Sequence, residues 1–170
     1  MVRTSLKSLM LVVILSVAML ASSPAVAQTK APPKLQAALI LKLLAFYTNL
    51  GGDPFTIHVV GAPDVASELK GLIGKPAGKA SLNGVTEGGI GAAGSAKVVY
   101  VGADVPGATA HTQASSVLSV TGEPSFVADG VTLGVGIENG KPKIILNLSS
   151  SKAENINWNP AILKVAATIK

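Results

Sequence analysis

The chain has 170 residues, 48% of them hydrophobic and 14% charged, with no cysteine and a formal charge of +5. That length suits one domain with a real core, and the few aromatics leave Ala, Val, Leu and Ile to fill it. The composition excludes a disordered tail protein, a disulfide-rich mini-domain and a cysteine-ligated zinc site.

Arg3 and Lys7 precede an uncharged apolar run at residues 9–21, and small residues follow to Ala25-Val26-Ala27 and then Gln28. A positive start, a short apolar middle and an A-x-A site make a secretory signal peptide over residues 1–27, cleaved between Ala27 and Gln28. The apolar run is shorter than the ~20 residues that span a bilayer, so no membrane insertion is expected after cleavage. Arg3 and Lys7 leave with the leader, and the remaining charge gives no nucleic-acid surface. The expected location is the periplasm, where the absence of cysteine leaves stability to packing.

Residues 28–33 form a short polar, proline-containing lead, and residues 34–170 form the domain. Residues 34–50 are rich in helix formers and end at Gly51-Gly52. On a helical wheel Lys34, Ala38, Lys42, Ala45 and Asn49 share a narrow stripe, and the rest is apolar nearly all round. Such a helix is buried on more than one side, against the sheet or in a subunit interface. Residues 55–60 read as a strand ended by Gly61. Residues 63–72 read as a helix opened by Pro63, with Val65, Leu69 and Leu72 on one face. Residues 75–84 are turn-rich, with a short strand near 80–82. Residues 97–101 are a continuous apolar strand of the kind buried on both faces of a parallel sheet. A weak helix at 105–114 and a short strand at 116–120 follow.

In the last third Val131, Leu133, Val135 and Ile137 alternate with Thr132, Gly134, Gly136 and Glu138. Ile144, Leu146 and Leu148 alternate with Lys143, Ile145 and Asn147, and Asn139-Gly140 between the two runs signals a hairpin. The glycines on one face predict a close approach by another element. Asn159-Pro160 caps an expected last helix at 161–169, with Ile162, Val165, Ala166 and Ile169 inward. The order of elements predicts an α/β fold: a single-domain mixed sheet, mainly parallel, with a C-terminal antiparallel hairpin and helices on both faces.

Residues 89–94 match G-x-G-x-x-G, yet the next strand begins at Lys97 and leaves no room for the helix that would hold a pyrophosphate. The match reads as a flexible loop. His58 lies inside a strand and reads as a satisfied core or rim residue; His111 sits in a polar stretch, and neither has a second ligand at metal spacing. No G-x-S-x-G elbow and no carboxylate pair is present, so no catalytic residue, metal site or cofactor is expected. Asn147-Leu148-Ser149 fits a glycosylation sequon at a strand end and reads as structural. Trp158 reads as a lid on the core, with an exposed partner anchor as the alternative.

The helix at 35–47, the strand at 55–61, residues 97–102 and 116–122, Phe126, and above all the hairpin at 136–148 resemble the YfiR family of exported α/β proteins. Residues 155–156 and 162–166 are similar to the family's last elements. The chain resembles a divergent member: it lacks the Lys-Phe-x-x-Trp-Pro type ending of the first helix and the cysteines that many members carry. The resemblance implies a non-catalytic periplasmic regulator or adaptor. Its partner would be a membrane-bound signalling protein, namely the sensory region of a diguanylate cyclase or a sensor kinase. It also implies a homodimer, in keeping with an oily first helix. The partner or dimer surface is placed on Lys34, Ala38, Lys42, Ala45, Asn49 and Trp158. The rival function is a periplasmic small-ligand binder, using the crevice at the carboxyl ends of the parallel strands, lined by residues 88–94 and 102–107.

Overall fold

Val98–Val101 (β5) is buried at every position, between β2 (Phe55–Val60) on one side and β6 (Leu118–Thr121) on the other, all three parallel. An uninterrupted apolar run has no polar side to offer water, so it takes the centre of a sheet covered on both faces. The computed structural model describes residues 28–170. The expected leader, with Ala27 of its cleavage pair, lies outside the described residues. Among the described residues the strands follow the order β3 (Pro76–Ala77), β4 (Ala80–Glu87), β2, β5, β6, β7 (Leu133–Glu138), β8 (Lys141–Asn147), β9 (Ala167–Ile169). Pairing is parallel from β4 to β7, antiparallel in the β7–β8 hairpin and parallel again at β9. This is the expected mainly parallel mixed sheet.

Helices lie on both faces. On the first face, α1 (Pro33–Leu43) and α2 (Pro63–Lys70) close the larger core over Ile57, Tyr100, Leu118, Leu133 and Leu146. On the second, α3 (Ala108–Ser115) and α4 (Pro124–Ala128) cover a smaller cluster that includes Val99, Val101 and Val131. The lead contributes a strand of its own: β1 (Thr29–Lys30) pairs antiparallel with β7. The last described helix, α5 (Leu148–Ala153), starts directly from β8. No helix among the described residues is long and apolar enough to cross a membrane.

The glycine face of β7 is explained by α4. A methyl at Gly134 would meet Val127 Cγ2 at 2.3 Å, and one at Gly136 would meet Pro124 Cγ at 2.6 Å. The hairpin turn has the expected chemistry, with φ of 51° at Asn139 and 72° at Gly140, the left-handed pair a two-residue turn needs. Nothing lies within 4 Å of a methyl built on Gly140. Gly140→Ala should therefore lose about 1 kcal/mol from backbone strain alone, read as a lower denaturation midpoint.

Three expectations change. The helix at 34–50 ends early: after Leu43 the chain tightens into 3-10 turns at Leu44–Phe46 and Thr48–Leu50. The short strand near 80–82 is the eight-residue β4, a half-exposed strand paired along one side with β2. The helix at 161–169 does not form. A 3-10 turn at Pro160–Lys164 leads into β9, so Ile162 is buried while Val165 stays 49% exposed. The hairpin is thus not the sheet edge; β9 extends it by pairing with Ile145, Leu146 and Asn147.

Candidate functional site

Lys34, Lys42, Ala45 and Asn49 stand exposed and Ala38 is half-buried, so the stripe read on the wheel is the open face of α1 and the turns after it. The opposite side is closed within the chain itself: Ile40 and Leu44 are fully buried and Leu41 and Leu43 nearly so. The apolar character of this helix is therefore met by the sheet and α2, and the open stripe is the small-and-basic remainder.

The other end of that stripe is built by the segment after α5. Asn157 N donates to Asn49 Oδ1 at 2.8 Å, and Asn49 Nδ2 donates to Asn155 O at 3.3 Å. Asn157 O accepts from Thr48 N at 3.0 Å and Thr48 Oγ1 at 2.9 Å, and Asn159 N donates to Phe46 O at 2.8 Å. These bonds set Trp158 against Tyr47, ring centroids 5.8 Å apart and tilted by 48°. The Trp158 indole donates to Ser151 Oγ at 2.6 Å, so the ring is half lid and half surface. The structure thus brings Trp158 to the 3-10 turns that follow α1 and carry Ala45 and Asn49. Beside them lies a cleft of about 610 Å³, lined by Ala45, Tyr47, Gly52, Gly78, Lys79 and Asn159 among others. Sequence reasoning missed this cleft, because its walls come from segments that only the fold makes neighbours. Lys79 adds a third cation to a face already carrying Lys34 and Lys42.

A second cleft, of about 360 Å³, opens at the carboxyl end of β5. Strand β2 leads outward to β4 and β5 leads the other way to β6, and the cleft lies on the β5 side of that switch point, with no residue of β2 in its wall. The expected turn at 102–107 supplies Ala103, Asp104, Val105 and Pro106 to its wall, with Phe126 and Val131 opposite. The loop at 88–94 is not part of it. That loop is held rather than loose: Ile90 and Ala93 enter the smaller cluster, and His58 Nε2 bonds Gly89 O at 3.0 Å.

His58 is fully buried and uses its other nitrogen on Thr86 Oγ1 at 2.8 Å, so both ring positions are engaged in holding β2, β4 and the loop together. It has no nitrogen left for base or ligand chemistry. Asn147 of the sequon is 6% exposed; it accepts from Ser150 N at 2.9 Å as the cap of α5 and donates to Val127 O. Its role is structural.

Two buried polar clusters fix the helices to the sheet. Gln36 of α1 accepts from the Tyr100 hydroxyl and donates to Ala31 O at 2.5 Å, while the same hydroxyl accepts from Gly122 N at 3.1 Å. Burial raises the Tyr100 phenol well above its usual range, so it stays a donor. On the far side of the sheet Glu154, fully buried, accepts from Thr112 Oγ1 at 2.7 Å, Thr132 Oγ1 at 2.6 Å and Ser119 N at 3.0 Å. Burial pushes this carboxyl up, and the hydrogen bonds only partly pull it back.

A family model described as YfiR/HmsC-like matches residues 33–167, from the first residue of α1 to the first of β9. No curated protein matches the sequence. Among solved structures, a conserved domain protein from Vibrio cholerae O1 biovar El Tor is similar, with a TM-score of 0.54 and 16% identity. The match covers 82% of this chain and 60% of that one, so the chain spans less than two thirds of its neighbour, and at this identity the likeness shows the fold alone.

Proposed function

The chain belongs to the YfiR/HmsC-like family, and from that premise we propose that it is a non-catalytic periplasmic regulator that works by contact. The leader at residues 1–27 exports it, and cleavage between Ala27 and Gln28 releases the domain. Its docking face is the open side of α1 and of the 3-10 turns after it, with Lys34, Ala38, Lys42, Ala45 and Asn49, continued by Trp158. The partner is the sensory region of a membrane-bound diguanylate cyclase or sensor kinase, and the working form is a homodimer. The match across residues 33–167, which takes in the docking helix and the seam that completes it, carries this reading.

Capture from solubilised membranes tests it. The wild-type chain should retain one membrane signalling protein, and its deletion should raise cellular cyclic-di-GMP. Reversing Lys34 and Lys42 to Glu leaves the core untouched and should weaken retention at least about tenfold, with melting unchanged. Retention undiminished in that variant moves the docking face elsewhere. If the wild type retains nothing and the nucleotide level does not move, the regulator reading fails. The cleft at the carboxyl ends of the strands favours a second reading, a small-ligand binder; a metabolite that raises the melting temperature, in place of a captured partner, selects it.

A further inference from the structure

We infer that Glu154 is a proton-operated latch: its protonation state sets how firmly the segment after α5 clasps the end of α1, and so how well the docking face is formed. This rests on the docking reading above for its purpose, but its geometry stands alone. The carboxyl joins four parts of the fold, reaching from α5 to Thr112 of α3, Ser119 of β6 and Thr132 just ahead of β7. The very next residues, Asn155 to Asn159, make the hydrogen bonds that seat Trp158 on Tyr47 and tie down Phe46, Thr48 and Asn49. Glu154 therefore adjoins Asn155, whose carbonyl holds Asn49, and stands four residues ahead of Trp158.

The two protonation states are satisfied unequally. In the neutral acid, the carboxyl O–H donates to Thr112 Oγ1, whose own proton goes on to Thr109 O at 3.1 Å. The other carboxyl oxygen accepts from Ser119 N and Thr132 Oγ1. Every group has a partner. In the carboxylate, the Thr112 proton must turn to Glu154, Thr109 O keeps only its partner within α3, and the charge is met by neutral donors only. Among the described residues no lysine, arginine or histidine forms an ion pair with it. Of the titratable groups around it, the Tyr47 phenol is near enough to feel its charge; His111 of α3 and Lys152 of α5 give it neither hydrogen bond nor ion pair. Burial first, and Glu154 second, push Tyr47 up to about 12, so that phenol does not titrate alongside. A charge so placed draws water toward the end of α5 and loosens the seam. The latch is closed in acid and slackens as pH rises.

Trp158 is the single tryptophan of the chain and reports the seam directly. Its emission and acrylamide quenching, followed on the isolated protein from about pH 4 to about pH 8, should show a transition toward a more exposed indole. The midpoint should lie above the usual carboxyl range. Glu154→Gln should abolish the transition and keep the closed signal throughout. Thr132→Val, which removes one donor that favours the charged form, should move the midpoint upward. A wild-type signal that does not change with pH, a transition surviving in Glu154→Gln, or a midpoint unmoved in Thr132→Val each overturns the latch. No partner is present in this measurement, so a failed latch leaves docking to be decided separately by membrane capture.

Discussion

Gly122→Ala should destabilise the protein by about 3–4 kcal/mol, a large effect for one methyl group. The added carbon would stand 1.9 Å from Gln36 Oε1, 2.2 Å from Gln36 Cδ and 2.6 Å from the Tyr100 hydroxyl. Neither side chain has somewhere to go, since both are fully buried. Either the methyl expels Gln36, leaving the Tyr100 hydroxyl without an acceptor and Ala31 O without the Gln36 donor, or the end of β6 backs away from α1. Forced overpacking costs about 1–3 kcal/mol and each orphaned buried group about 1–3 more. Urea unfolding would read this as a lower midpoint with an unchanged slope. The position has no left-handed backbone to confuse the result, so sterics alone are measured. Gly89→Ala is the matched control: nothing lies within 4 Å of its methyl, and its stability should stay within about 0.5 kcal/mol of wild type.

The parts of this fold that were legible are those where one face decides everything. Residues 98–101 could only be a central strand, Asn139-Gly140 could only be a turn, and Gly134 and Gly136 foretold the close approach of another element. The helix that packs there was not foreseen, because α4 has five residues and is too short to show a period. Only the start of strand β4 was legible, because the rest of it is largely exposed: Asn83, Gly84 and Thr86 give no apolar alternation. The C-terminal segment misleads for a different reason. Ile162, Val165, Ala166 and Ile169 have helical spacing, but the β-branched Val165, Thr168 and Ile169 suit a strand as well, and pairing with β8 settled it. The open stripe of Lys34, Ala38 and Lys42 on α1 was readable because helical spacing is local. The cleft at its end and the Glu154 cluster were not, since Thr112, Ser119 and Thr132 look like ordinary surface residues until the sheet gathers them around one carboxyl.

That cluster yields the second large effect. Glu154→Ala should lose about 3–5 kcal/mol, because Thr132 Oγ1 and the amide of Ser119 are each left without an acceptor in a dry site, at about 1–3 kcal/mol apiece, while Thr112 falls back on Thr109 O. Glu154→Gln should behave oppositely. The amide oxygen can accept from Ser119 N and Thr132 Oγ1 while the amide nitrogen donates to Thr112 Oγ1, which reproduces the neutral acid. The folded carboxyl titrates above its unfolded value of 4.5 because burial disfavours its charge, so the folded chain holds this proton more tightly. Its stabilisation is complete below the unfolded value and is lost as pH rises through the folded one. Wild type should therefore lose ground to Glu154→Gln on going from acid to neutral pH. Glu138 works the other way: its hydrogen bond from Lys143 lowers its carboxyl, giving stability that is lost in acid. That group is common to both proteins and cancels when one curve is subtracted from the other. Melting temperatures of the pair across about pH 4–8 thus isolate the buried carboxyl. Parallel curves would mean that Glu154 keeps the same protonation state throughout, and the cluster would be a fixed brace rather than a titrating one.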